Sequence, residues 1–372
     1  MREWIKGMDI SSLLEVERCG GKFFDHGIQK DAMDILKNYG MNLVRLRLWN
    51  DPFTPEGISY GGGENDLNTT LTLARRAKEK GVGWLLAFHY SDCWADPGKQ
   101  TIPKAWQHMG LEELKCAVYD YTLEVLEKCR DNGLMPEMVA VGNELSNGLL
   151  WPVGKVPAYP QIATLISAGI RAVRKIAPDM EVMIHLDNGG NNELYRTWFD
   201  AYFENGGEDF EYIGLSYYPF WHGTVEDLRN NMNDIAIRYQ KDLLLAEVST
   251  GHTLKDYQEY EKLLPHERKG MASTNSKLAA KVDYPMTPEG QADFMRDVMK
   301  TISQVPEGRG KGFCYWEPAW LPVPGSQWAT AEGLAYMKEK GPGGNEWANQ
   351  ALFDYDGNAL PALEVIRDYQ SL

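Results

Sequence analysis

The chain has no run of about 18 apolar residues, so no membrane-crossing helix is expected. It has only five cysteines, Cys19, Cys93, Cys116, Cys129 and Cys314, scattered along the chain with no Cys-x-x-Cys. That pattern argues against a disulfide framework and against a zinc site. Positive charge is in deficit: 38 Lys and Arg against 53 Asp and Glu leave a net charge of −15. Such an acid excess speaks against nucleic acid, and against a polyanion such as bare pectin backbone, as the main ligand; a neutral ligand is unaffected. There is no His-Glu-x-x-His and no Gly-x-Ser-x-Gly elbow. The Gly-rich Tyr60-Gly61-Gly62-Gly63-Glu64 lacks the Lys and Ser/Thr of a phosphate loop and reads as a turn. Met1-Arg2-Glu3-Trp4 carries no apolar signal region. The expectation is a cytoplasmic protein, or a secreted one whose signal has been removed.

What is present is a globular composition, 43% hydrophobic and 24% charged, with 12 Trp and 19 Tyr. Aromatic faces stack sugar rings, although most of these rings are expected in the core. The stretch Met138 to Ser146 is the most informative. It starts as a short apolar run, suited to a buried parallel strand, and ends in Gly142-Asn143-Glu144. Leu243 to Glu247 has the same shape. Around these two, strand-like and helix-like segments alternate. Strands are expected at 4–10, 42–49, 83–89, 138–144, 181–186, 212–216, 243–247 and 312–316. Each precedes an apolar pattern at helical spacing. That order fits a single (β/α)8 barrel over residues 1–372, with Glu144 and Glu247 at the C-terminal ends of strands four and seven. Two long connections, 252–286 and 318–352, fall on that same face and are expected to shape a groove.

Residues that close barrel strands converge on one mouth. The candidates are Asp9, Arg45, Arg47, His89, Ser91, Asp92, Trp94, Asn143, Glu144, His185, Asp187, Tyr217, Tyr218, Glu247, Trp316, Glu317 and Trp320. They supply carboxylates, aromatic rings and hydrogen-bonding groups, and no metal-ligand spacing. That inventory fits cleavage of a glycosidic bond by two carboxyl groups. The two jobs need different proton affinities. Arg45, with Tyr217 or Tyr218, is expected to keep Glu247 ionised, while Glu144 stays protonated longer. Asn143 is placed to bind a sugar 2-hydroxyl.

Several segments resemble the endo-β-1,4-galactanases, family 53 of the glycoside hydrolases. They are Gly7-Met8-Asp9-Ile10-Ser11-Ser12, Val44-Arg45-Leu46-Arg47-Leu48-Trp49 and His89-Tyr90-Ser91-Asp92-Cys93-Trp94-Ala95-Asp96-Pro97. Val141-Gly142-Asn143-Glu144, Gly148-Leu149-Leu150-Trp151-Pro152 and Ile184-His185-Leu186-Asp187 continue the series. It closes with Ser216-Tyr217-Tyr218-Pro219-Phe220, Tyr315-Trp316-Glu317-Pro318-Ala319-Trp320 and Asn349-Gln350-Ala351-Leu352-Phe353-Asp354. The resemblance implies a retaining mechanism on β-1,4-galactan or galacto-oligosaccharides, with Glu144 as acid/base and Glu247 as nucleophile. A monomer that needs no cofactor for catalysis is expected. Some bacterial members bind a structural calcium through Asp-x-Asp-x-His-x-Asn after strand seven. Here that stretch reads Gly251-His252-Thr253-Leu254-Lys255-Asp256-Tyr257 and does not match.

Other readings stand beside these. Arg45 and Arg47 fit structural ion pairs, His89 and His185 fit satisfied core histidines, and Trp94, Trp316 and Trp320 fit core packing. Asp92, Asp96 and Asp187 fit groups that orient neighbours. The competing functions are another retaining β-1,4-polysaccharide endo-hydrolase (mannanase, xylanase or cellulase) and a catalytically silent glycan-binding barrel.

Overall fold

The computed structural model describes residues 4–255, 276–340, 343–345 and 347–370. Eight parallel strands close into a barrel: β1 (Ile5–Asp9), β2 (Leu43–Leu48), β3 (Gly83–Phe88), β4 (Met138–Val141), β5 (Glu181–Leu186), β6 (Tyr212–Tyr217), β7 (Asp242–Val248) and β8 (Gly310–Trp316). Each is followed by a covering helix: α1 (Ala32–Asn38), α2 (Leu67–Glu79), α3 (Leu111–Asp131), α4 (Tyr159–Ile176), α5 (Asn192–Glu204), α6 (Val225–Tyr239), α7 (Pro288–Ser303) and α8 (Pro361–Asp368). Closure is direct, since β1 pairs with β8 from Ile5↔Gly312 to Asp9↔Trp316 and with β2 at Asp9↔Arg45.

The strands form because their residues are apolar on both faces, as a sheet buried inside and out requires. In β7, Leu243 and Leu245 face the helices, while Leu244 and Ala246 face the barrel interior. The helices are amphipathic. In α4, Ile162, Leu165, Ile166 and Val173 are buried. Gly169 lies there because a Cβ would come within 2.7 Å of Val141 on β4. In α6, Thr224 and Asp227 form a capping box that fixes the helix start.

The interior has two layers. Leu43, Leu85, Met138, Met183, Leu244 and Cys314 belong to an apolar floor. One step further along the strands the inward positions become Asp9, Arg45, His185 and Glu247, all buried. The polar layer therefore lies at the C-terminal mouth, supported from below by an apolar core.

Strand boundaries fall within about three residues of the expectation. The connections hold more structure than expected. A short helix (Leu13–Arg18) and a hairpin (Phe23–Asp25 with Ile28–Lys30) follow β1. The 318–352 connection contains a helix, Ala331–Met337. Of the 252–286 connection, residues 256–275 lie outside the described residues, and with them part of the segment compared with the calcium motif. No described helix is long and apolar enough to cross a membrane.

Candidate active site

The mouth is built around Arg45. Its Nη1 meets Asp9 Oδ2 at 2.5 Å, and its Nη2 meets Glu247 Oε1 at 2.8 Å and Asn143 Oδ1 at 2.6 Å. Asp9 also takes Arg47 Nη1 at 3.0 Å, and Arg47 Nη2 reaches Glu317 Oε1 at 2.6 Å. Arg45, Arg47, Asp9 and Glu317 are almost completely buried, so each charge needs this pairing. The Arg47 guanidinium also lies 4.7 Å from the Trp94 ring centroid and 5.7 Å from that of Trp316.

The two glutamates sit in unequal surroundings. Glu247 Oε1 faces Arg45, and Oε2 accepts from the Tyr218 hydroxyl at 2.7 Å. Glu144 forms no ion pair among the described residues; its Oε1 lies 2.6 Å from Ser216 Oγ. Burial pushes Glu144 well above the usual carboxyl range, and the neighbouring Glu247 and Asp187 add to the push. Burial raises Glu247 as well, but there Arg45 and the Tyr218 hydroxyl oppose it. Of the pair, Glu247 gives up its proton first. Burial also raises Asp187 to about 6 and Glu317 to about 7.

Burial and then the Arg45 charge hold His89 and His185 well below the ordinary imidazole range, so both are neutral. His89 Nδ1 accepts from the Trp49 indole at 3.3 Å and from the Ala95 amide at 3.2 Å. The remaining hydrogen is then on Nε2, a buried donor with no partner among the described residues. It is available to an oxygen of a ligand.

These groups line a cavity of about 350 Å³. Of the expected residues, Arg47, His89, Trp94, Asn143, Glu144, Tyr218, Glu247 and Trp316 form its wall. Asp9, Arg45 and His185 stand behind that wall and hold it. Asp187 is buried, near enough to Glu144 to raise its proton affinity, and is bonded to Asn188. Asp92 ties loops together, accepting from the Asp51 and Lys104 amides and the Tyr336 hydroxyl. Ser91 is buried, and its carbonyl accepts from the Asn50 amide. Trp320 stacks beside Trp94 at 6.2 Å and supports it.

Tyr217 is a correction. It points away from the mouth, stacks on Phe294 of α7 and donates to the Gly223 carbonyl at 3.0 Å. Strand alternation explains this. Tyr212 faces the interior, so Gly214 and Ser216 follow it and Tyr217 takes the opposite face. The same count marks Ser216, absent from the expected set, as the inward residue beside Glu144. Also unforeseen in the wall are Trp221, His222, Trp328, Trp347, Lys99 and Glu339, all on connections after β3, β6 and β8. Among the described residues, no three His, Cys, Asp or Glu side chains gather in a way that would hold a metal ion.

Comparison with known proteins gives the family. Residues 5–366 match Glycosyl hydrolase family 53. The chain is similar to the endo-beta-1,4-galactanase of Bacillus subtilis, at 35% identity over 100% of this chain and 87% of that protein. It is 31% identical to the arabinogalactan endo-beta-1,4-galactanase of Humicola insolens, over 97% of this chain and 98% of the other. Among solved structures, the Ignisphaera aggregans GH53 catalytic domain superposes with a TM-score of 0.89 at 38% identity, covering 98% of this chain and 96% of that one. With a family match over nearly the whole barrel and relatives aligned end to end, the chain belongs to glycosyl hydrolase family 53.

Proposed function

We propose that this protein cleaves internal β-1,4-galactosidic bonds of galactan, as a monomer, by a retaining double displacement. The observation that carries the reading is the inequality of the two buried carboxyls: Glu247 between Arg45 and Tyr218, Glu144 beside a neutral hydroxyl. In the first step the Glu247 carboxylate attacks the anomeric carbon and forms a glycosyl ester, while Glu144 gives its proton to the departing glycosidic oxygen. In the second step the Glu144 carboxylate takes a proton from water, the water oxygen attacks the same carbon, and Glu247 leaves as carboxylate. Two inversions give net retention. Both nucleophile and acid are side chains, so the reaction needs no cofactor.

Residues 1–372 act in this reading as one catalytic domain, which the pairing of β1 with β8 supports. Trp94 and Trp316 serve as stacking faces, and His89 Nε2 and Asn143 as hydrogen-bonding groups toward the sugar. The substrate is uncharged, so the net charge of −15 does not repel it. Galactose carries an axial 4-hydroxyl, and a chain linked through it bends away from the flat cellulose ribbon. A gluco-substrate leaves polar groups unpaired, at about 1–3 kcal/mol for each buried hydrogen bond not made. Two or three such losses amount to roughly a thousandfold in rate. The test is chromatography of products from linear β-1,4-galactan, carboxymethyl-cellulose, xylan and mannan. Rapid internal cleavage of galactan is expected, with little product from the other three. Equal specific activity on cellulose and galactan would overturn the substrate assignment, and binding without product would favour a silent glycan-binding barrel.

A further inference from the structure

The polar groups behind Glu144 form one chain of hydrogen bonds through Arg45, Asn143, His185 and Ser216. Its directions are fixed from the arginine end. A guanidinium has only donors, and Arg45 Nη2 lies 2.6 Å from Asn143 Oδ1. The other amide atom, Nδ2, donates to the Ala95 carbonyl at 2.9 Å. Turning the amide over would set donor against donor and acceptor against acceptor, so the oxygen is the atom that faces His185. His185 Nδ1 lies 3.0 Å from that oxygen and therefore carries a hydrogen. The imidazole is fully buried, and the positive Arg45 opposes a second proton. Nε2 is therefore a bare acceptor.

Ser216 Oγ lies 2.8 Å from His185 Nε2 and 2.6 Å from Glu144 Oε1. Its single hydrogen is required at both. If it goes to Nε2, Glu144 must itself donate to Oγ, and every link from Asn143 Oδ1 through His185 and Ser216 to Glu144 Oε1 pairs a donor with an acceptor. If it goes to an ionised Glu144, Nε2 is left with no donor and faces an oxygen lone pair.

We propose that Ser216 and His185 are positioning residues that hold a proton on Glu144, because their hydrogen bonds close only when that carboxyl is protonated. The inference rests on the reading of Glu144 as the acid, but the hydrogen-bond directions do not depend on the substrate. When Glu144 passes its proton to the leaving oxygen, Ser216 turns its hydrogen to the new carboxylate and His185 loses a partner. When Glu144 takes a proton from water, the original arrangement returns. The charged and titratable groups that face Glu144 include Glu247 on β7, Asp187 after β5, Asp96 after β3, Tyr218 after β6 and Tyr195 on α5. Those that face His185 are Arg45, His222 and His89. They set the general level of proton affinity, and the chain adds the increment.

Two measurements test this. The first is the imidazole nitrogen-15 spectrum of the whole enzyme at neutral pH without substrate, with the His185→Gln variant used for assignment. Hydrogen on Nδ1 and a bare Nε2 are expected. Hydrogen on Nε2 would overturn the proposal. The second is the alkaline limb of the kcat/KM profile. Ser216→Ala should move it down by about one pH unit, the worth of one buried hydrogen bond, and Ser216→Thr, which keeps the hydroxyl, should restore it. A hydroxyl that merely donated to the carboxylate would lower the acid's pKa, so its removal would shift the limb upward. An upward shift, or none, would overturn the proposal. If Ser216→Ala does not fold, the spectrum decides alone. If the enzyme does not turn over galactan, the functional reading fails while the spectrum still judges the chain.

Discussion

Replacing Arg45 with lysine keeps the positive charge and removes the fork. Arg45 uses one nitrogen for Asp9 and another for both Asn143 and Glu247. A lysine offers one compact ammonium and cannot meet all three at these positions. Asp9 is the deeper and fully buried carboxylate, so the ammonium is expected to stay there, and Glu247 loses its cation. A hydrogen bond to a charged group is worth about 1.5–3 kcal/mol. At about 1.4 kcal/mol per unit, the pKa of Glu247 should rise by about one to two units. In the proposed mechanism Glu247 works as a carboxylate, so a raised pKa moves the acid limb of the kcat/KM profile to higher pH. The alkaline limb, which reports Glu144, should move less. The assay is the pH dependence of kcat/KM on a soluble galacto-oligosaccharide, with circular dichroism to confirm folding. A folded Arg45→Lys enzyme whose acid limb stays in place, or moves down, would refute the view that Arg45 keeps Glu247 ionised.

The roles of the two glutamates are separable by azide rescue with a good leaving group. Glu247→Ala should give the inverted glycosyl azide and Glu144→Ala the retained one, and swapped products would reverse the assignment. A crystal structure should place the two carboxyls roughly 5–5.5 Å apart, whereas about 6.5–9.5 Å would mean inversion. Tyr217→Phe should leave kcat/KM unchanged and lower stability in urea by about 1 kcal/mol, through the lost bond to Gly223. Tyr218→Phe should raise the acid limb, because it removes a hydrogen bond to Glu247; equal effects of the two tyrosines on that limb would contradict the geometry.

The barrel was legible because its signals are periodic. Eight apolar runs, each followed by an amphipathic helix, leave few other topologies. The centre of the site was legible for the same reason. Arg45 and Arg47 alternate with Val44, Leu46 and Leu48, and the structure turns the arginines inward and the aliphatic residues toward the helices. Tyr217 misses the mouth because closing a strand is not sufficient: parity counted from Tyr212 turns its side chain to the helix layer. The wall supplied by Trp221, Trp328 and Trp347 was not legible at the level of residues. These rings sit on connections, where no period says which of several tryptophans turns inward. The connection after β8 stood out by its length and its Gly, Pro and Trp content, but its seven-residue helix is too short to show a 3.6 period.

Parity also shows why the carboxylates needed special backbone. Leu244 and Ala246 face the interior, so an unbroken β7 would send Glu247 outward into the helix layer. It does not, because the β6–β7 register shifts between Leu215 and Ser216, where Ser216 pairs with Glu247 instead of Ala246. A shift of that kind rotates the following residue, and here it brings two consecutive residues to one face. On β4 the interior positions are Met138 and Ala140, so Asn143 is out of phase as well. Gly142 at φ 92° and Glu144 at φ 49°, ψ 57° break the alternation, and both Asn143 and Glu144 reach the mouth. Glu317, one residue past β8, uses the same device at φ 49° to reach Arg47. A left-handed conformation costs a non-glycine residue about 1–2 kcal/mol. Regular strands deliver one inward side chain in two, about 6–7 Å apart along the strand. A pair of carboxyls must stand closer to their partners than that spacing allows, so the sheet is broken at the residues to which the proposed mechanism assigns the chemistry, and the apolar floor beneath them supplies the stability that tolerates it.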